Sequence, residues 1–175
     1  MERQNYTSIV IPVQEAAFVQ PFRVRHLHRP GVTMPTHITL HAPFKYGEEL
    51  DEEVLYKLAK LFSTYPPFKF SLSSTDRFAD KGILYLVPEP AEPFHVLSQS
   101  IQARFPDTPP DYPDSVMHLT LGLSKTGEVG SIEEEFHREY GSRLPIEATA
   151  TEVSIFEKHS DIWVLHTTFA LSEPS

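Results

Sequence analysis

Polar and apolar positions along this chain of 175 residues follow two periods, one typical of strands and one typical of helices. Strand patterns, either alternating or continuously apolar, occur at 8–13, 36–42, 68–73, 83–87, 116–123, 145–158 and 162–171. Helical patterns occur at 14–28, 51–64, 93–105 and 132–140, and we expect Arg29-Pro30-Gly31 to end the first of them. Tight turns are expected at 79–82, 125–127 and 159–161. This mixture predicts an α+β fold.

The predicted elements repeat once along the chain. A helix, a strand, a second helix and a hairpin occupy about 14–87, and the same order returns in about 93–171. No low-complexity segment separates the two halves. The sequence therefore predicts one domain over 1–175, built from two pseudo-symmetric lobes. Each lobe would be a mostly antiparallel sheet with helices on its outside, and a cleft would lie between the lobes.

The predicted strands 36–42 and 116–123, one in each half, carry the same short motif. His37-Ile38-Thr39-Leu40 and His118-Leu119-Thr120-Leu121-Gly122 begin 81 residues apart. Successive side chains in a strand point to opposite faces, so the histidine and threonine of each motif share one face. The apolar residues share the other face, which belongs in the core. Two such strands facing one another predict two imidazoles and two hydroxyls around one cleft, a surrounding that suits a phosphate group.

Composition and charge narrow the classes of function. The chain has no cysteine, which excludes disulfides, thiolate catalysis and cysteine-ligated zinc and fits a cytoplasmic location. Its apolar runs are of strand length, and no basic stretch leads into an apolar one near Met1, so we expect neither a membrane span nor a signal peptide. The net charge of −9 argues against a protein that grips long nucleic acid by its backbone.

The first motif lies in a region without carboxylates. Between residues 16 and 47 the charged side chains are Arg23, Arg25, Arg29 and Lys45. This segment either forms a local positive surface beside His37 or is simply the solvated face of a helix.

The two apolar-flanked motifs resemble those of the 2H phosphoesterase superfamily, the group that includes the 2′–5′ RNA ligase family. The resemblance covers essentially the whole chain, because the order of elements also fits. The segment from the arginine-bearing helix to Pro43-Phe44 resembles the bacterial 2′–5′ RNA ligase-like branch. A third match, His166-Thr167-Thr168, lacks the apolar residue between histidine and threonine, and we interpret it as the outward face of the last strand.

The resemblance implies a metal-independent phosphodiesterase that acts on a 2′,3′-cyclic phosphate, either at an RNA end or in a small cyclic nucleotide. It implies no cofactor, and the reverse reaction would be 2′–5′ RNA ligation. His37 and His118 would be the general base and the general acid, in either order, since an ordinary histidine pKa of about 6.5 suits both roles. Thr39 and Thr120 would bind the phosphate oxygens. We expect a monomer, with RNA ends or a small cyclic-phosphate nucleotide as its partner and no membrane.

Several assignments stay open on the sequence alone. Phe44 and Tyr46 either stack on a nucleobase or close the edge of a lobe, and Lys45 or Arg25 is a candidate to neutralise phosphate. A metal site is disfavoured, because His37 and His41 would lie about 13 Å apart on one strand. The alternative to an enzyme is a non-catalytic module of the same fold that binds RNA ends or nucleotides.

Overall fold

A computed structural model describes residues 5–27 and 34–173. Within these ranges the strands are β1 (Thr7–Pro12), β2 (His37–His41), β3 (Phe68–Phe78), β4 (Ile83–Glu89), β5 (Leu119–Leu123), β6 (Ile146–Ala150), β7 (Glu152–His159) and β8 (Ile162–Ala170). The α-helices are α1 (Gln20–His26), α2 (Glu52–Phe62), α3 (Glu92–Arg104) and α4 (Val129–Tyr140). Short 3-10 helices occupy Gln14–Val19, Gly47–Glu49 and Gly141–Arg143. In these ranges no helix is long and apolar enough to cross a membrane.

The strands form two antiparallel sheets of four strands each, which confirms the predicted α+β architecture of two lobes with a cleft between them. The first sheet has the order β2-β1-β7-β8 and the second has the order β5-β4-β3-β6. The two motif strands, β2 and β5, each lie at the edge of their sheet. Their Cα atoms approach within 8 Å of one another, so the motifs meet where the lobes meet.

Each lobe combines elements from both halves of the sequence repeat. In the first sheet the hairpin β7–β8 pairs with β1 through β7, whereas in the second the hairpin β3–β4 pairs with β5 through β4. The helices are exchanged between the halves in the same way: α1 packs against β5, and α3 packs against β2. The hydroxyl of Ser98 on α3 donates a hydrogen bond to the carbonyl oxygen of Leu40 at 2.8 Å. Each motif strand is therefore supported by a helix from the other half.

One apolar cluster runs through both lobes. Each α-helix contributes one fully buried phenylalanine to it, namely Phe22, Phe62, Phe94 and Phe136. Burying a side chain of this size stabilises the fold by about 1.5–3 kcal/mol relative to leaving it in water. The motif strands contribute Ile38, Leu40, Leu119 and Leu121, as the alternating pattern predicts. Their polar faces are consequently turned away from the core.

Two predicted strands have different limits in the structure. The strand predicted over 145–158 is in fact two strands, β6 and β7, which belong to different sheets. Burial alternates through β6 but becomes continuous from Val153 to Phe156, so the change of period marks the crossing at Thr151. The strand predicted over 116–123 begins only at Leu119, and His118 therefore precedes it.

The helix predicted over 14–28 starts as a 3-10 helix, and its α-helical part begins beside Pro21. Its predicted stop at 29–31 lies outside the described residues.

The last strand departs from simple alternation because of a β-bulge. Ile155 pairs with Thr167 whereas Phe156 pairs with Leu165, so β8 holds one extra residue at this point. An extra residue shifts the side-chain phase by one position. Leu165, which strict alternation would place on one face with Phe169, is consequently 54% exposed.

Candidate active site

The polar face of each motif opens to the space between the lobes. His37 and Thr39 are partly exposed on β2, while Ile38 and Leu40 between and beside them are buried. His118 and Thr120 are likewise partly exposed, and Leu119 between them is fully buried. Thr39 and His118 line one small cavity of about 210 Å³, so the structure brings the two motifs together.

Both motif histidines are fixed by the same local hydrogen bond. Nδ1 of His37 lies 2.6 Å from the carbonyl oxygen of Pro35, and Nδ1 of His118 lies 2.6 Å from the carbonyl oxygen of Val116. A carbonyl oxygen only accepts, so Nδ1 must carry the proton in each ring. In the neutral form Nε2 is then the nitrogen that can accept a proton. The equivalent bonds give the two imidazoles equivalent orientations relative to their strands.

Arg23 is a buried cation beside this pair. Its Nε donates to the carbonyl oxygen of Thr120 at 2.8 Å, and its Nη1 donates to Gln20 at 2.7 Å and to the carbonyl oxygen of Met34 at 3.3 Å. The residue is 3% exposed, and burial lowers the pKa of its guanidinium to about 10. It remains charged at neutral pH. Arg23 therefore joins α1 to β5 and places a positive charge between the motifs.

The surroundings hold both histidines towards the neutral form. Burial first, and then the charges of Arg23 and His118, lower the pKa of His37 from 6.5 to about 4, against the opposing effect of the bond to Pro35. Burial is also the main cause that lowers the pKa of His118, and the charge of Lys81 adds to it. The charge of His118 acts on His37, which is a second sign that the two rings are close.

Two larger cavities adjoin the motifs. The first, which we call the His37 cavity, has a volume of about 330 Å³ and is lined by His37, Thr39, Thr120 and Arg23, among others. The second, which we call the Tyr112 cavity, has a volume of about 480 Å³ and is lined by His118, Phe78, Lys81 and Tyr112, among others. Ile83 lines both. The two cavities therefore adjoin, one on the side of His37 and one on the side of His118.

The three substrate-binding candidates after the first motif, Phe44, Lys45 and Tyr46, do not line these cavities. Phe44 is buried, with its ring edge-on to Phe105 at 5.1 Å and to His41 at 5.5 Å between ring centres. Lys45 forms an ion pair with Asp107 at 3.3 Å. Tyr46 is exposed at the start of the 3-10 helix Gly47–Glu49. The structure therefore does not bring these three candidates for substrate binding to the cleft.

Phe44, Lys45 and their neighbours hold the proline-rich loop, residues 106–113, instead. His41 Nε2 donates to the carbonyl oxygen of Thr108 at 2.8 Å, and the amide of Asp111 donates to the carbonyl oxygen of Ala42 at 3.0 Å. Lys45 donates to the hydroxyl of Thr108 at 3.0 Å. His41 is buried, and burial lowers its pKa. The end of β2 thus anchors the segment that leads to His118.

Two further residues considered from the sequence, Arg25 and His166, lie against carboxylates away from the cavities. Arg25 forms two hydrogen bonds of 2.8 Å with Glu139 and pairs with Glu135 at 3.3 Å on the surface. His166 lies on the edge strand β8, 3.5 Å from Glu157. Arg23 therefore takes the place by the motifs for which the sequence suggested Arg25 or Lys45.

The family model of the 2′-5′ RNA ligase superfamily matches residues 11–162 of this chain. The protein belongs to this superfamily, a group of 2H phosphoesterases, which confirms the resemblance that the two motifs indicated. A predicted phosphoesterase of Bacillus anthracis is 24% identical over 143 residues, which cover 80% of this chain and 81% of that protein.

Solved structures share the fold. A protein crystallised as a phosphoesterase matches with a TM-score of 0.64 and 16% identity, over 98% of this chain and 100% of the other. LigT of Escherichia coli, solved in complex with 3′-AMP, matches with a TM-score of 0.64 and 15% identity over the same shares of the two chains. The same protein in complex with NADP+ gives a TM-score of 0.64 and 16% identity. These likenesses show the fold, and membership of the superfamily supports a phosphoesterase or 2′-5′ RNA ligase-like activity.

Proposed function

We propose that this protein is a metal-independent phosphodiesterase that opens 2′,3′-cyclic phosphates by two-histidine general acid–base catalysis. The observation that carries the proposal is the pair of imidazoles with equivalent Nδ1 bonds, each followed by a threonine, at adjoining cavities beside a buried arginine. Hydroxyl, guanidinium and N–H groups are donors, and they suit an anion better than a cation. LigT has been crystallised with 3′-AMP, ATP and NADP+, and we extend such nucleotide binding to this chain by similarity.

The proposed reaction needs two proton transfers on opposite sides of phosphorus. The base accepts a proton from water while the water oxygen attacks phosphorus. The bond from phosphorus to the 3′ oxygen breaks, and the acid gives its proton to that oxygen. The product is a 2′-monophosphate with a free 3′-hydroxyl. With the 5′-hydroxyl of a second RNA strand in place of water, the same transfers form a 2′–5′ linkage.

We assign the base to His37 and the acid to His118. The base must start neutral, and His37 is the histidine next to Arg23, whose charge lowers its pKa. His118 must start protonated, and a bound phosphate anion favours that form. Thr39 and Thr120 would donate to the non-bridging oxygens. Nη2 of Arg23 would donate to the same anion, since the bonds of Arg23 to other described residues use Nε and Nη1. Each positioned donor to developing charge contributes on the order of 2–4 kcal/mol.

The test is turnover of adenosine 2′,3′-cyclic phosphate in EDTA, with identification of the product. We expect adenosine 2′-monophosphate from the wild-type protein and losses of at least about 100-fold in kcat for His37→Ala and His118→Ala. His95→Ala, on α3 and away from the cavities, is the matched control and should retain activity. Full activity in either motif variant would overturn the site assignment.

The alternative is a non-catalytic module that binds RNA ends or nucleotides. The same experiment separates the two functions, because a binding module would show no turnover of the cyclic nucleotide or of an oligonucleotide with a cyclic end. Its affinity for adenosine 2′-monophosphate would nevertheless be measurable by calorimetry.

A further inference from the structure

The Tyr112 cavity is larger than a phosphate group alone would fill. Its volume of about 480 Å³ lies within the range of roughly 300–1,000 Å³ that is typical of small-molecule sites. His118 forms part of its wall, and Ile83 lines both this cavity and the His37 cavity. A ligand whose phosphate lies beside His118 can therefore extend into this cavity.

Two aromatic side chains form its walls. Tyr112 is 65% exposed, so its ring adds little to the core. Phe78 is partly exposed, lies 4.4 Å from the ring of Tyr85 and meets the ring of His118 edge-on at 5.1 Å. Aromatic faces of this kind are stacking platforms for flat rings. The cavity thus offers such faces beside the proposed catalytic acid.

The position of Tyr112 is fixed by bonds on both sides of it. The amide of Asp111 donates to the carbonyl oxygen of Ala42 at 3.0 Å. Gln102 on α3 donates to the carbonyl oxygen of Pro113 at 3.2 Å. The prolines of this loop restrict its backbone further. A ligand that stacks on Tyr112 therefore meets a side chain on a backbone that is already ordered, which reduces the entropy lost on binding.

The charges at this cavity favour an uncharged ligand group. Two carboxylates, Asp111 and Asp114, line it together with a single ammonium group, that of Lys81. The ammonium nitrogen lies 4.2 Å from the centre of the Tyr112 ring, in a cation–π contact between exposed groups that a stacking ring can replace. Carboxylates repel a second phosphate but accept hydrogen bonds from amino groups.

We propose that the Tyr112 cavity binds the nucleobase of the nucleotide whose phosphate lies between the two motifs. The proposal rests on the proposed function, since that function supplies the phosphate. Stacking on Tyr112 and Phe78 would hold any base, and the carboxylates would favour bases with an amino group. The ligand class is therefore a nucleotide with adenine, guanine or cytosine ahead of uracil.

The test compares a substrate that has a base with one that lacks it. For Tyr112→Leu we expect KM for adenosine 2′,3′-cyclic phosphate to rise roughly tenfold or more, since base stacking on an aromatic ring contributes about that much to affinity. KM for glycerol 1,2-cyclic phosphate, which has no base, should not change. Tyr112→Phe should behave as wild type. Tyr56→Leu, a tyrosine of similar exposure on α2, is the matched control.

Two outcomes would overturn the base site. An equal loss on both substrates would mean that Tyr112 acts on the shape of the loop and on His118, and unchanged KM for both would mean that the base binds elsewhere. Failure of the proposed function is distinguishable, because calorimetric binding of adenosine 2′-monophosphate needs no turnover. If the protein turned over no cyclic phosphate but Tyr112→Leu still weakened this binding tenfold, the base site would stand.

Discussion

At the scale of single residues, Arg23 acts on both motifs. It hydrogen-bonds to the carbonyl oxygen of Thr120, lines the His37 cavity, and lowers the pKa of His37 through its charge. Its bonds to Gln20 and Met34 fix the guanidinium before any ligand arrives. Such a preorganised cation stabilises negative charge without reorganisation during the reaction.

We expect Arg23→Met to lower kcat/KM by about 100-fold or more, because the phosphate loses a positioned donor and the carbonyl oxygen of Thr120 loses its partner. The same substitution at Arg25, on the same helix but paired with Glu139 on the surface, should leave kcat/KM within about twofold of wild type. Equal effects of the two substitutions would mean that general positive charge on α1, and not Arg23 itself, acts on the substrate.

The pH dependence of these variants gives an independent measurement. In the free protein the neutral form of His37 predominates above a pKa of about 4, and the protonated form of His118 predominates below a pKa that is itself lowered from 6.5. We therefore expect kcat/KM to peak on the acid side of 6.5. Arg23→Met removes a charge that disfavours protonation of His37, so the acid limb of the profile should move to higher pH. An unmoved acid limb would contradict the assignment of His37 as base.

Residues of the two motifs could be predicted because strand alternation places histidine and threonine on one face. Arg23 could not be singled out, since it occurs with Arg25 and Arg29 in one basic segment and only the packing of α1 on β5 distinguishes them. Phe44 and Lys45 were candidates because they follow the first motif in sequence. Their contacts with Phe105 and Asp107 lie about 60 residues away and leave no local signal. For the Tyr112 cavity, the sequence holds one local signal, an aromatic residue among prolines, Tyr112.

At the scale of elements, the glycine of the second motif sets the distance between α1 and β5. A Cβ atom at Gly122 would lie 2.9 Å from Cβ of His26, closer than such atoms approach in proteins. The absent side chain lets the helix lie directly on the strand. This close approach is what brings Nε of Arg23 to the carbonyl oxygen of Thr120.

We expect Gly122→Ala to displace α1 and to lower kcat/KM about tenfold or more while the protein remains folded. A displacement of about 1 Å at a positioned group costs up to 100-fold in rate. Gly130→Ala on α4 is the matched control, since its nearest contact would be an ordinary 3.5 Å from Arg77. Circular dichroism and kcat/KM of both variants provide the measurement. Activity at the wild-type level in Gly122→Ala would contradict the role given to this close packing.

The type and order of the elements could largely be predicted, and their pairing could not. Asp51 precedes α2 and accepts a hydrogen bond from the amide of Val54, as a capping residue before an amphipathic segment should. Strand partners, by contrast, depend on contacts between distant segments. The crossing at Thr151 and the bulge in β8 both alter the phase of alternation within one apolar stretch, where sequence periodicity alone indicates a single strand.

At the scale of the whole molecule, folding keeps three histidines near the neutral form. The pKa values of His37, His41 and His118 are all lowered, mainly by burial. Below the ordinary value of about 6.5 the unfolded chain takes up protons at these positions that the folded chain does not. The free energy of unfolding must then fall as the pH drops from 6.5 towards 4.

We expect the free energy of unfolding to decrease by about 1–3 kcal/mol between pH 7.5 and pH 5, with a fall in Tm of roughly 2–4 °C for each kcal/mol. The double variant His37→Gln and His118→Gln removes two of the three groups, so its decrease over the same range should be clearly smaller. Thermal unfolding followed by circular dichroism at several pH values measures both. Parallel curves for the two proteins would assign the acid sensitivity to other groups.

The exchange of hairpins between the lobes has a consequence for biosynthesis. During translation, β1 and β2 leave the ribosome long before β7. Because β1 pairs with β7, the sheet lacks this strand until more than a hundred further residues have been synthesised. A pair of strands on its own is marginally stable in water, so the first lobe forms only when translation has passed β7. A chain that is interrupted before β6 therefore has neither sheet complete. Any activity that needs both motifs in one cleft therefore begins only after the last strands have been synthesised.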